Sequence, residues 1–423
     1  MSGNRLGIDL TPLRASSQYR RLYIAGFITA LGSQATYVVV PYQLKNLTHS
    51  PLDVGALGLF ELVPLVVFGL YGGVLADRLN RRRLILSMEQ TLMLMAGLLF
   101  VNALLNKPQV WVLYTVAFLA AAASSLQQPS LSALNQTLVP PDLQRSAAQL
   151  ANIQGTSAMI IGPALGGLAA VAIGPASVYA ANLVTFSFSL ALLFSLKATN
   201  PSEVSKDGDM RALTDGIRYA ISRPDLLGTY IVDLLAMAFA YPVVMLPFVA
   251  AHFHTVYALS VLYCALPAGA LVATLTSSWT HRVYHYGRGL VVAAATWGLG
   301  IALFGYSKSF WIVFAGLAIG GGADAMSGVF RNTMWNESIP PDIRGRMAGI
   351  EMISYSVGPT AGQFRAGLMA AWTTLRFSLT FGGLACTGSV AGVAAALPKL
   401  WAFDSRTDPN VAHVRDLRSG EEW

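Results

Sequence analysis

Seven ionisable side chains sit inside long apolar runs of this chain: Glu61, Glu89, Asp233, Asp324, Arg331, Glu351 and Arg365. A charge in hydrocarbon is costly and is usually kept only where it faces a cavity or a partner. A carboxyl group so placed can take up and release a proton, so the set points to proton-linked chemistry. Asp324 and Arg331 are seven residues apart. That is two helical turns, which puts them on one face about 10 Å apart along the axis. Glu61 lies mid-run, three residues before Pro64, and ranks with Asp324 as a proton site. Asp233 is the third candidate, with a helix cap at the membrane interface as its competing role. Arg331 reads equally as an interfacial anchor. Gln34, Tyr37, Gln127, Asn152, Tyr241, Tyr263, Asn332, Tyr355 and Gln363 fall at mid-run positions. Each alone reads first as an ordinary interhelical hydrogen bond. Together, and with Arg331, they outline a cavity for an aromatic or amphipathic solute.

Enzyme chemistry finds no footing. No GxxxxGK[ST] phosphate loop occurs, so direct ATP-driven pumping is not expected. His252, His254, His281 and His285 are loop residues without metal-ligand company. Cys264 and Cys386 have no CxxC partner and read as small buried hydrophobes. No nucleophile–base pair stands out. The reading is a non-enzyme with no metal and no cofactor.

The elements that must hold these residues are membrane helices. The chain is 54% hydrophobic and only 12% charged, against about 25% charged in soluble domains. Twelve apolar segments, each near the roughly 20 residues that span a bilayer, have approximate cores at 22–44, 53–76, 83–105, 110–136, 145–172, 176–196, 226–251, 257–280, 288–307, 310–335, 346–371 and 376–397. The first is read as an uncleaved helix. The net charge of +7 reflects topology, not nucleic acid, because the basic residues cluster in short loops on one side. The opposite side offers only Lys45, Lys107, Lys308 and Arg376. Both termini are therefore expected in the cytoplasm.

The polar stretch from Lys197 to Pro224 divides the chain. Met210, Leu213, Ile217, Ala220 and Ile221 recur there at helical spacing, an amphipathic surface helix. The expected domains are a six-helix bundle at 1–196, a linker at 197–225, a second six-helix bundle at 226–397 and a tail at 398–423. An internal repeat supports the two halves. Val139-Pro-Pro-Asp142 is echoed by Ile339-Pro-Pro-Asp342, and Ile161-Gly-Pro163-Ala-Leu-Gly166 by Val357-Gly-Pro359-Thr-Ala-Gly362. Parallel repeats of this kind are typical of transporters, with the substrate site between them.

Three stretches resemble a known superfamily. Gly73-Val-Leu-Ala-Asp77-Arg78-Leu-Asn80-Arg81-Arg82-Arg83 resembles motif A of the major facilitator superfamily, between helices 2 and 3. Asn80 stands where the family pattern has Gly, and Asn also tolerates the left-handed backbone of a tight turn. Gly155 to Gly167, with Gly162, Pro163, Gly166 and Gly167, is similar to motif C, the antiporter motif. It reads alternatively as a glycine-rich packing face. Helix 4 has Gln127 and Gln128 where a motif B arginine would stand, which weakens a proton relay there. Val40-Pro-Tyr-Gln-Leu-Lys-Asn-Leu-Thr48-His49-Ser50, Leu262-Tyr263-Cys-Ala-Leu-Pro267 and Gly345-Arg346-Met-Ala-Gly349 resemble the enterobactin exporter family.

The resemblance implies a twelve-helix, all-α polytopic membrane protein in two pseudo-symmetric halves. It implies a proton-coupled secondary exporter of a siderophore or similar small molecule, working by alternating access in the inner (plasma) membrane. Multidrug efflux, or lipid flipping without ion coupling, is the alternative. Gly73, Asp77, Arg78, Arg81 and Arg82 would form a gate with Glu351, because the start of helix 11 faces motif A in that family. Glu89 is a further candidate to pair with inner-loop arginines. Expected partners are a small-molecule substrate, protons and the bilayer, with the chain a monomer and no nucleic acid.

Overall fold

The computed structural model describes residues 9–78, 80–196, 216 and 218–420, with side chains throughout except at 70–78, 341–342, 345–346, 348–350, 352–353 and 420. Twelve long helices follow one another among them. They are α1 (Ser17–Thr48), α2 (Pro51–Arg78), α3 (Arg81–Leu104), α4 (Val110–Leu138), α5 (Gln144–Ala172), α6 (Pro175–Phe194), α7 (Pro224–Ala240), α8 (Ala258–Leu275), α9 (Tyr286–Tyr306), α10 (Phe310–Ser338), α11 (Pro341–Trp372) and α12 (Leu375–Ala396). The tail adds α13 (Pro398–Ala402) and α14 (Pro409–Gly420). Eleven of these segments are long and apolar enough to cross a membrane, the seventh when counted from Pro224 on to Ala251. α11 has the length, at 32 residues, but Asp342, Arg344, Arg346, Glu351 and Arg365 dilute its apolar character. The expected amphipathic helix from Met210 to Ile221 falls largely on residues outside those described.

Two segments differ from the sequence reading. Segment 7 was expected unbroken to residue 251, but α7 stops at Ala240. Pro242 disfavours the α region for the residue before it, and Tyr241 accordingly takes φ −86°, ψ 107°. The path resumes through the turn Val243–Met245 and a short helix Leu246–Ala251. Segment 8 ends earlier, at Leu275, and a 3-10 turn Ser277–Arg282 takes over.

The sequence repeat is also a backbone repeat. Val139 and Ile339, each before a proline, are both extended, at φ −113°, ψ 130° and φ −104°, ψ 123°. Pro140 and Pro340 follow at φ −55°, ψ 147° and φ −59°, ψ 146°. The same chemistry thus ends α4 and α10 and starts the next helix. Glycines then set the packing of that helix. A Cβ on Gly162 would lie 2.6 Å from the Gln34 Cβ, and one on Gly166 2.6 Å from the Ala35 Cα. A Cβ on Gly358 would lie 2.7 Å from the Met237 Cβ, and one on Gly362 3.0 Å from the Tyr241 Cβ. So α5 closes on α1, and α11 on α7, by the same device.

Contacts group the chain into two units, one of residues 1–43 and 67–205, the other of 44–66 and 206–423. In the first, Leu22, Ala25, Ile85, Leu134, Leu193 and Leu196 form a buried cluster. In the second, Leu226, Leu262, Leu290 and Trp335 are fully buried.

Candidate functional site

The second unit buries a charged cluster. Asp233 on α7 and Arg331 on α10 are each 4% exposed, and they form an ion pair through Asp233 Oδ1 and Arg331 Nη1. Ser354 Oγ on α11 donates to Asp233 Oδ2 at 2.8 Å, so both carboxylate oxygens are occupied. The guanidinium stands 5.6 Å from the Trp335 ring centroid and 5.0 Å from that of Tyr355. Trp335 is fixed in turn by its Nε1, which donates to Thr229 Oγ1 at 2.9 Å, and by stacking on Tyr230 at 4.8 Å. Taking two charges out of water is repaid only when geometry and extra hydrogen bonds are good. Here Ser354 binds the second carboxylate oxygen and two ring faces flank the guanidinium, whose Nε finds no hydrogen-bond partner among the described residues. Asp233 is therefore not an interfacial cap, and Arg331 is not a surface anchor. The helix wheel could not bring them together, because they lie on different helices.

Asp324 stands on α10 beside this pair, half-buried and within electrostatic reach of Arg331 and Asp233. It makes no hydrogen bond to a described residue. Glu61 on α2 is also half-buried and likewise unbonded. One turn earlier, α2 packs against α11: a Cβ on Gly58 would lie 2.8 Å from the Gln363 Cβ. Gln363 itself is 4% exposed. The two leading proton candidates thus share a property: each is a carboxyl group with no hydrogen-bond donor among the described residues.

Glu89 on α3 is different. It is 4% exposed and accepts hydrogen bonds from Gln127 Nε2 at 2.8 Å and Ser189 Oγ at 2.6 Å. The expected pairing with inner-loop arginines does not occur: Gln127 and Ser189 occupy both oxygens. The trio lines a cavity of about 800 Å³ within the first unit, where Gln128, Asn135 and Gln154 also face the space. Gln127 is thus a polar candidate that the structure sets on a large cavity. Gln34 packs at Gly162 instead. Asn152 is exposed and Tyr37 half-buried. Tyr241 marks the break in α7. Tyr263 is 5% exposed and its hydroxyl has no hydrogen-bond partner among the described residues. Tyr355 is 43% exposed and donates to Asn332 Oδ1 at 3.4 Å. Ser189, Ser354 and Trp335 were missed by sequence reasoning. Serine and tryptophan in apolar helices carry no signal beyond ordinary packing.

The motif A loop is partly visible. α2 is helical through Gly73 and Asp77 to Arg78, and the side chains of 70–78 lie outside those described. Asn80 does not use the left-handed backbone that asparagine tolerates. It sits at φ −64°, ψ 111° and its side chain accepts from the Arg83 N–H at 3.2 Å, an N-cap for α3. Arg82 Nη2 donates to Phe194 O at 2.8 Å, and Arg21 Nη1 to Ser195 O at 3.0 Å. Two guanidinium groups thus satisfy carbonyls at the C-terminus of α6, where cations are favoured. Arg81 is half-buried. Glu351 is half-buried with Oε1 unbonded, and Arg344 and Arg331 act on it electrostatically. Of the motif C residues, Gly162, Pro163, Gly166 and Gly167 are all buried; Gly162 and Gly166 form the packing face against α1.

Known proteins share this layout. The chain is 28% identical to the enterobactin exporter EntS of Shigella boydii serotype 18 over 372 residues, 87% of this chain and 88% of that one. The same figures hold for the enterobactin exporter EntS of Escherichia coli O139:H28. Among solved structures, the nucleoside transporter NupG superposes with TM-score 0.71 at 15% identity, covering 92% of this chain and 100% of that one. A bacterial homologue of the human lysosomal transporter Spinster gives TM-score 0.70 at 13% identity, covering 94% and 97%. At such identities the structural likeness speaks for the fold alone. Residues 8–420 match the MFS_3 family, described as transmembrane secretion effectors. On that match this chain is a member of the transmembrane secretion effector family, within the major facilitator superfamily of membrane transporters.

Proposed function

We propose that this multi-pass transporter is a proton-coupled exporter of a siderophore or chemically similar small molecule. The observation that carries the coupling is Asp324: a half-buried carboxyl group with no hydrogen bond to a described residue, beside a buried Asp233–Arg331 pair. A proton taken up there changes the charge next to Arg331, so proton binding and helix packing are linked. Glu61 is a second proton site, next to the α2–α11 contact. Similarity to the enterobactin exporters supports the substrate class. The amide-lined cavity of the first unit offers hydrogen-bonding groups of the sort a catechol or amide-bearing ligand uses.

In this reading the halves 1–196 and 226–397, joined by the linker 197–225, alternate access across the inner membrane. Both termini and the tail 398–423 lie in the cytoplasm. Gly73, Asp77, Arg78, Arg81, Arg82 and Glu351 form the inner gate, and the chain works as a monomer. Proteoliposomes with an imposed pH gradient test the coupling. Efflux of a catecholate siderophore should carry protons in the opposite direction, and Asp324→Asn with Glu61→Gln should uncouple them while the melting temperature is kept. Siderophore efflux without proton movement would overturn the antiport, and efflux of amphipathic drugs alone would overturn the substrate class.

A further inference from the structure

A groove of about 500 Å³ opens on the side of the second unit, between the end of α8, α9 and α10. Its wall is apolar. Val292, Ile319 and Trp279 line it while remaining 56%, 49% and 50% exposed. Trp279 meets Phe330 edge-on, ring centroids 6.0 Å apart. Exposed apolar surface of this size needs an occupant, and in a membrane protein the surrounding solvent is lipid.

One end of the groove is cationic. Arg288, in the first turn of α9, also lines it. Arg288 Nε donates to Trp401 O at 3.2 Å, and the guanidinium stands 5.7 Å from the Trp401 ring centroid. These contacts hold the group in place, and its terminal nitrogens bond to no described residue. His285 lies next to it in the lining. The nearby acid, Asp404, 3.8 Å from His285 Nδ1, is already held by Arg406 at 2.6 and 3.0 Å. The mouth therefore keeps the charge of Arg288 uncompensated.

We propose that this groove binds an anionic phospholipid, one acyl chain lying along the Val292–Ile319 wall and the phosphate at Arg288. An apolar slot ending in a fixed guanidinium matches both parts of such a molecule. Basic pockets between membrane helices near the cytoplasmic surface select acidic headgroups by this charge. The inference stands on the groove alone and is independent of the transported substrate.

Thermal unfolding of the purified protein in detergent tests it. A ligand that binds only the folded state raises the melting temperature with concentration. Phosphatidylglycerol should raise it more than phosphatidylcholine of the same chain length. Arg288→Gln should make the two lipids equal, and Val292→Trp, which fills the slot, should remove the effect of both. Glycerol 3-phosphate should give no shift, because it lacks the chain. Both positions are exposed, so the lipid-free melting temperature should stay at the wild-type value in Val292→Trp and fall only slightly in Arg288→Gln, which loses its contacts with Trp401. If a variant is nonetheless less stable, native mass spectrometry of wild-type protein should still find phosphatidylglycerol retained over phosphatidylcholine. Equal shifts from the two lipids in the wild type, an undiminished shift in Val292→Trp, or a shift with glycerol 3-phosphate would each overturn the proposal.

Discussion

Asp233 on α7 and Arg331 on α10 hold each other's charge out of contact with water, each 4% exposed. Removing one partner strands the other. Arg331→Met should therefore cost about 3–5 kcal/mol, the usual penalty of an uncompensated buried charge. The double variant Asp233→Leu with Arg331→Met should recover most of that, because apolar replacements of similar volume are often neutral or better. Equilibrium unfolding in mixed micelles measures both. Single variants within about 1 kcal/mol of wild type would mean that the pair is not buried.

Glu89 is tied by Gln127 and Ser189, so its removal should be felt through its neighbours. Glu89→Ala leaves Ser189 Oγ without its acceptor and Gln127 Nε2 with only Ile85 O at 3.4 Å, and should destabilise by about 1–3 kcal/mol. Glu89→Gln keeps an acceptor and should cost less. The order of melting temperatures, wild type above Gln above Ala, is the readout.

The glycines of α5 and α11 admit no side chain. Gly166→Val and Gly362→Val each push a side chain into a neighbouring helix backbone, a change that typically costs 1–3 kcal/mol or more in a packed core. Both should lower the yield of folded protein. Gly392→Ala, with nothing within 4 Å of an added Cβ, is the control and should leave yield unchanged in fluorescence-detected size-exclusion chromatography.

Asn80 caps α3 through its side chain. Asn80→Ala should cost about 1 kcal/mol, whereas Asn80→Gly should cost only a few tenths. Asn80→Ser should match wild type. Thermal stability of the three variants ranks them.

The tail offers a pH test outside the membrane. Hydrogen bonds from Arg406 hold the Asp404 carboxyl well below its ordinary value of 3.8. A group depressed in the folded state stabilises above its unfolded pKa and loses that contribution as pH falls through the folded one. The contact of residues 404–406 with Tyr284 (Ser405 N–H donates to Tyr284 O at 3.1 Å) should thus hold at neutral pH and loosen only below about 4. Asp404→Asn should be loose throughout. Anisotropy of a dye on Thr407→Cys reports the difference.

Helix positions were largely legible, because length and apolar content are properties of each segment by itself. The α7 break was less so: Pro242 was in plain view, but the apolar run continued past it and hid the stop. The repeat around Gly162 and Gly358 was legible as letters, and its meaning as close helix packing came only with neighbours in place. The site was legible as a list of residues, not as pairs. Asp324 and Arg331 share a helix and could be related by spacing. Asp233 and Arg331 are on different helices, and Glu89 finds Gln127 and Ser189 on two others. Nothing in the order of residues encodes those encounters. The lone serines that complete them look like any other serine.

Where α2 meets α11, a Cβ on Gly55 would lie 2.7 Å from the Gly367 Cα, so the two helices touch main chain to main chain. At this point the seam has no interlocking side chains, and one turn on the Gln363 side chain reaches across, to Gly58. Parting the Gly55–Gly367 contact uncovers little apolar area, because neither residue has a side chain to expose. At the two glycines it has the form of a bearing surface, close-fitting yet smooth.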